Sequence, residues 1–130
     1  KKPIIPDKEA IASLIGLGPG LTPSGDDFLG GMLIALHICR EKSVKKNLYV
    51  QVDSLLDSTG PVSKVHLKAA ALGEGSHSLH QVINMLLKGN GAKLELEIHT
   101  INQIGHTSGW DALAGAAVVL RQLASNYRSA

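Results

Sequence analysis

The chain has 130 residues, a formal net charge of +2, 44% hydrophobic residues and only 3% aromatics. That length suits one domain with a real core, and the composition excludes disorder throughout. So small a charge gives no footprint for nucleic acid, and so few aromatics give no stacking platform for single strands. A core of Leu, Ile, Val and Ala predicts an all-α fold: a compact bundle of six to seven short to medium helices joined by glycine-rich helix-start loops.

Residues 1–6 carry two prolines and two lysines and read as a lead-in or linker. A single helical domain is expected over 7–126. Asp7 is a cap for a first helix over Lys8–Ile15, with Ile11, Leu14 and Ile15 on one face. Gly16-Leu17-Gly18-Pro19-Gly20 stops it. Thr22-Pro23 signals a new start, with Ser24 as a competing cap, and an almost wholly apolar run then predicts a central buried helix to about Arg40. Residues 41–47 are polar and read as a loop, and the basic patch of Lys42, Lys45 and Lys46 reads as a solvated helix end or loop in preference to a phosphate-binding patch. Leu48, Val52, Leu55 and Leu56 make the next helical stripe, and Thr59-Gly60-Pro61 ends it. Val62, Val65, Ala69 and Leu72 fit a further helix. Leu79, Val82, Ile83, Leu86 and Leu87 fit another, closed by Gly89-Asn90-Gly91. Residues 93–103 fit either a strand or a helix, and helix is preferred because no second strand is available to pair. A last helix starts at Ser108 and runs to about Ala124, with a frayed end over Tyr127–Ala130.

No secretory leader is visible, and no apolar stretch is long enough to span a bilayer. The lone Cys39 allows no disulfide within the chain. A cytoplasmic location is expected, with neither membrane nor nucleic acid as a partner. Because the chain begins at Lys1, it is expected to be a piece of a longer protein.

The most informative feature is a partial internal repeat. Ser24-Gly25-Asp26-Asp27-Phe28-Leu29-Gly30-Gly31 lies on Ser108-Gly109-Trp110-Asp111-Ala112-Leu113-Ala114-Gly115 with five of eight positions identical. Gly20 and Thr22 also match Gly105 and Thr107 with one gap. Both copies stand where a polar turn becomes an apolar helix. A helix start exposes unpaired N–H groups and carries a partial positive charge, so it suits phosphate, carboxylate or carbamoyl oxygens. Glycines let a ligand approach the backbone, and small hydroxyls add donors. The candidate substrate-binding residues are Gly18, Gly20, Thr22, Ser24, Gly25, His106, Thr107, Ser108 and Gly109. Asp27, matched by Asp111, is the candidate for chemistry: a general base, a metal ligand or an acceptor for a substrate amide. Adjacent helical residues point about 100° apart, so Asp26 is expected to face solvent or a nearby lysine. The competing interpretation is structural. Ser24-x-x-Asp27 and Ser108-x-x-Asp111 also fit capping boxes, and Gly30, Gly31 and Gly115 also suit close helix contact.

Other patterns carry less. Gly16-x-Gly18-x-Gly20 follows no strand and has the wrong spacing for a dinucleotide fingerprint. A hard cation would need more oxygen ligands than the sequence supplies, and His77 with His80 has no third ligand for zinc. No metal and no cofactor is assigned. Ser63 and His66 follow a helix-start signal and are placed beside the same cleft by position alone.

The run Gly16–Gly31, together with Ile104–Asp111 and Ser63–Gly75, resembles a bacterial family that includes the AllH-type subunit of oxamate carbamoyltransferase. The family's proteins are longer, and the resemblance implies that this is their C-terminal part. It further implies a transferase subunit in purine and allantoin catabolism. The reaction exchanges oxalurate and phosphate with oxamate and carbamoyl phosphate, in a multi-subunit enzyme acting on small anions. The expectation is a carbamoyltransferase component that binds such an anion at the paired helix starts. The alternative is a non-catalytic assembly domain of that enzyme.

Overall fold

A computed structural model describes residues 3–88 and 108–129. Among them there are six α-helices, one short 3₁₀ turn and no strand, so the all-α expectation holds. The helices are α1 (Lys8–Leu14), α2 (Ser24–Ile38), α3 (Lys42–Asp53), α4 (Pro61–Ala71), α5 (His77–Lys88) and α6 (Ser108–Ser129), with the 3₁₀ turn at Leu56–Ser58. Residues 93–103 and the turn around His106 lie outside the described residues.

Helix α2 is the axle. Its residues Gly31 to Leu36 are all buried, as expected of a helix apolar on every side. Helices α1, α3, α4 and α6 pack around it, α6 most extensively. The deepest side chains among the described residues are Ile11, Leu29, Met32, Leu33, Leu36, Leu48, Val52, Leu67, Val82, Ile83 and Val119.

Asp7 caps α1 as predicted, accepting the Ala10 N–H at 2.8 Å. Four details differ from the sequence reading. Helix α2 ends at Ile38 rather than near Arg40, and α3 begins at Lys42 inside the expected polar loop. The polar stretch is helical because its lysines occupy an outer surface while Leu48 and Val52 anchor the other side. The buried side of α4 is Ser63, Leu67 and Ala70, whereas Val62, Val65 and Leu72 of the expected stripe are exposed. Finally, α6 continues beyond Ala124 to Ser129.

The α2–α6 crossing is unusually close. A Cβ built on Gly31 would lie 1.8 Å from the Ala112 carbonyl oxygen, and one on Gly115 would lie 1.9 Å from the Phe28 carbonyl oxygen. Only glycine permits these backbones to touch. Gly25 plays the same part toward α1, its Cβ position lying 1.8 Å from the Leu14 carbonyl oxygen.

Candidate functional site

The loop from Gly16 to Gly20 brings the chain onto the first turn of α2. Gly16, Gly18 and Gly20 all have positive φ (76°, 112° and 93°), which explains three glycines by backbone conformation. The N-cap of α2 is Pro23 and makes no side-chain cap bond. The helix thus starts where Thr22-Pro23-Ser24 signals it, with Pro23 as the cap and Ser24 as the first helical residue rather than the cap. The Asp27 N–H is held by the Pro23 carbonyl at 3.0 Å, and the Gly25 N–H by the Leu17 carbonyl at 3.0 Å.

Asp26 overturns the sequence reading. It is 2% exposed, not solvent-facing, and among the described residues no lysine bonds it. Its Oδ1 accepts the Gly16 N–H at 2.8 Å, and its Oδ2 accepts the hydroxyls of Thr59 and Ser63. One carboxylate thus ties together the α1–α2 loop, the turn before α4 and α4 itself. A helix surrounded by apolar packing has no wet side on which to place it, and Asp26 shares a face with Leu29 and Leu33. That was the available signal.

A cleft of about 290 Å³ opens beside this network. Its wall includes Thr22, Asp26, Asp27, Gly30 and Gly31 from the first motif, Gly109 and Ala112 from the second, and Ser63 and His66 from α4. Glu74, Gly75 and Ser76 complete one side. Of the expected site residues, the cleft gathers Thr22, Asp27 and Gly109. Gly18, Gly20, Ser24 and Gly25 lie outside its lining. Gly25 is buried against Leu14 and its N–H is engaged, so it serves packing. Asp111 lies in the first turn of α6, where its Oδ2 is buried without a hydrogen-bond partner among the described residues, and it does not line the cleft. Ser108 opens α6; His106 and Thr107 fall outside the described residues. The sequence reading missed Glu74 and Ser76, which lie on the turn between α4 and α5.

The chemistry of the wall is definite. Among the described residues it carries three carboxylates, Asp26, Asp27 and Glu74, with His66 and three hydroxyls, and neither lysine nor arginine. An ionised carboxylate only accepts, so Ser63 must donate its proton to Asp26. Such a wall favours a ligand that brings N–H donors. No group of three or more His, Cys, Asp or Glu suited to a metal ion occurs among the described residues. Cys39 is half-buried, and burial, with Glu41 nearby, pushes its thiol pKa up, which suits packing rather than nucleophilic attack. No helix among the described residues is long and apolar enough to cross a membrane.

No solved structure matches this chain. The family model of the oxamate carbamoyltransferase subunit AllH matches residues 14–120, a span that contains both glycine motifs and the whole cleft wall. By that match the chain belongs to the AllH family of oxamate carbamoyltransferase subunits.

Proposed function

We propose that this chain is the substrate-holding part of a carbamoyltransferase subunit, and that the cleft takes the amide end of a small amide-bearing anion such as oxamate. The observation that carries this reading is the assembly of Asp26, Asp27 and Glu74 with Gly109 around one hollow. The substrate amide N–H groups would be accepted by Asp27 and Glu74. The carboxylate end would lie toward the helix starts, whose dipoles offset part of the acidic wall. Asp27 is the residue assigned to the reacting amide, as acceptor or general base, with Asp111 supporting the neighbouring helix start. The rest of the enzyme, including other subunits, would supply the phosphate-binding side.

Calorimetric titration of the chain with oxamate and with oxalate tests the assignment. Oxamate is expected to bind at least about tenfold more tightly, since a site built to accept N–H groups rejects an analogue lacking them. Asp27→Asn should remove that preference. Oxalate binding as well as oxamate would reject amide recognition. The assembly-domain reading draws on a separate observation: Gly25, Gly31 and Gly115 each abut a backbone carbonyl. It predicts that neither ligand binds and that Asp27→Asn leaves turnover of the complete enzyme unchanged.

A further inference from the structure

The opposite end of α2 carries a second hollow, of about 660 Å³, lined by Leu36, His37, Ile38, Arg40, Lys42 and Lys45. Among the described residues it gathers the cationic side chains of Arg40, Lys42 and Lys45 and no carboxylate, and Glu41 lines the neighbouring apolar groove. Two local rules are broken here. The Arg40 N–H bonds the His37 carbonyl and the Glu41 N–H bonds the Leu36 carbonyl, which is the pattern of a Schellman turn with Arg40 in the left-handed position. Glycine normally takes that place. The same chain does use glycine in the matching turn after α4, where Gly73 has φ 80° against 58° for Arg40. Lys42 and Lys45 then stand in the first turn of α3, where the helix dipole disfavours positive charge. Departures from local preference concentrate where function demands them.

Lys45 is also aimed. Its Nζ lies 3.0 Å from His37 Nδ1. An ammonium has only donors, so His37 accepts, and the remaining Lys45 N–H groups are left for the hollow. We propose that this hollow is a binding site, separate from the acidic cleft, for a compact oxyanion of two or more charges held by Arg40, Lys42 and Lys45. Phosphate groups and di- or tricarboxylates share the chemistry it reads.

The test follows backbone amide shifts of residues 36–46 by NMR during titration with inorganic phosphate and, separately, malonate, at constant ionic strength. Saturable shifts confined to this segment are expected, and the stronger of the two ligands identifies the source. Arg40→Gly keeps the left-handed turn and removes the guanidinium. It should weaken binding about tenfold while leaving the melting temperature equal to or above the parent's. Lys45→Met should weaken it comparably, whereas Asp27→Asn in the cleft should not alter it. Undiminished binding in Arg40→Gly, shifts reproduced by sodium chloride alone, or loss of phosphate binding in Asp27→Asn would each overturn the proposal. None of these outcomes bears on amide recognition in the cleft, which fails or stands on the oxamate titration.

Discussion

Replacing Asp26 by alanine gives the sharpest test of how the loop, α2 and α4 are held together. Three donors from three chain segments converge on one 2%-exposed carboxylate. They are not equally costly to orphan. Gly16 is exposed, so water can replace its partner. Thr59 is half-buried and Ser63 is fully buried, so the Ser63 hydroxyl loses its acceptor with no solvent to substitute. An unsatisfied buried polar group costs about 1–3 kcal/mol, and each lost bond to a charged group about 1.5–3 kcal/mol, with strong overlap between the two. Losing a negative charge from the first turn of α2 adds about 0.3–1 kcal/mol. The total expected for Asp26→Ala is about 3–4 kcal/mol. In a domain of this size that lowers the melting temperature by about 10–15 °C. Asp26→Asn keeps the acceptor for Gly16 but turns an amide toward two hydroxyls, which must reverse to accept, so about half the loss is expected. The assay is thermal and urea unfolding, with Ser63→Ala as the second arm of a double-mutant cycle. Removing Ser63 first should relieve at least about 1 kcal/mol of the Asp26→Ala penalty, because the orphan is then gone. A fall of under about 3 °C in Asp26→Ala, or strict additivity with Ser63→Ala, would refute the account.

Two further outcomes follow from the packing and from the charge at the far end of α2. Gly31→Ala places a methyl 1.8 Å from a backbone oxygen that no side-chain rotation can move. It should cost at least about 2–3 kcal/mol by unfolding, and Gly31→Ala with Gly115→Ala should cost well under the sum, since the first substitution already parts the helices. The His37 pKa is held below its ordinary value of 6.5, first by burial, then by Lys45 and His80. The unfolded chain therefore takes up more protons there, so stability is lost as pH falls through 6.5 and levels off below the folded-state pKa. The urea midpoint of His37→Gln should fall less than the parent's between pH 7.5 and 5.5. An equal fall in both would show that His37 contributes nothing to the pH dependence.

The helices were legible because their signals are local. Asp7 before an apolar stripe and proline after glycine at Gly60-Pro61 each report a boundary within a few residues, and the structure puts helix ends there. The buried side of α4 was not legible. Valines at 62 and 65 outbid a serine on any hydropathy pattern, yet Ser63 is the residue turned inward because Asp26 awaits it. A polar pair separated by 37 residues leaves no periodic trace. The same non-local bond hid the burial of Asp26, and with it the role of the neighbour once expected to differ from Asp27 by facing water.

The close helix contact expected of Gly31 and Gly115 is what the internal repeat encodes, and it does so reciprocally. Under the alignment of Ser24 with Ser108, Phe28 corresponds to Ala112 and Gly31 to Gly115. In the structure Gly31 meets the Ala112 carbonyl, and Gly115 meets the Phe28 carbonyl. Matched positions therefore exchange partners across the crossing, so each copy supplies the glycine that the other copy's backbone requires. Asp27 and Asp111 stand one turn before these glycines, on the same helix faces, and the Oδ2 atom of each is buried. A crossing this close, only a turn or two into each helix, also forces the two helix starts toward one another. That is why Thr22 and Asp27 share a cleft with Gly109. Packing and cleft are thus successive consequences of one pattern: the glycines set the distance, and the distance creates the hollow that the carboxylates line.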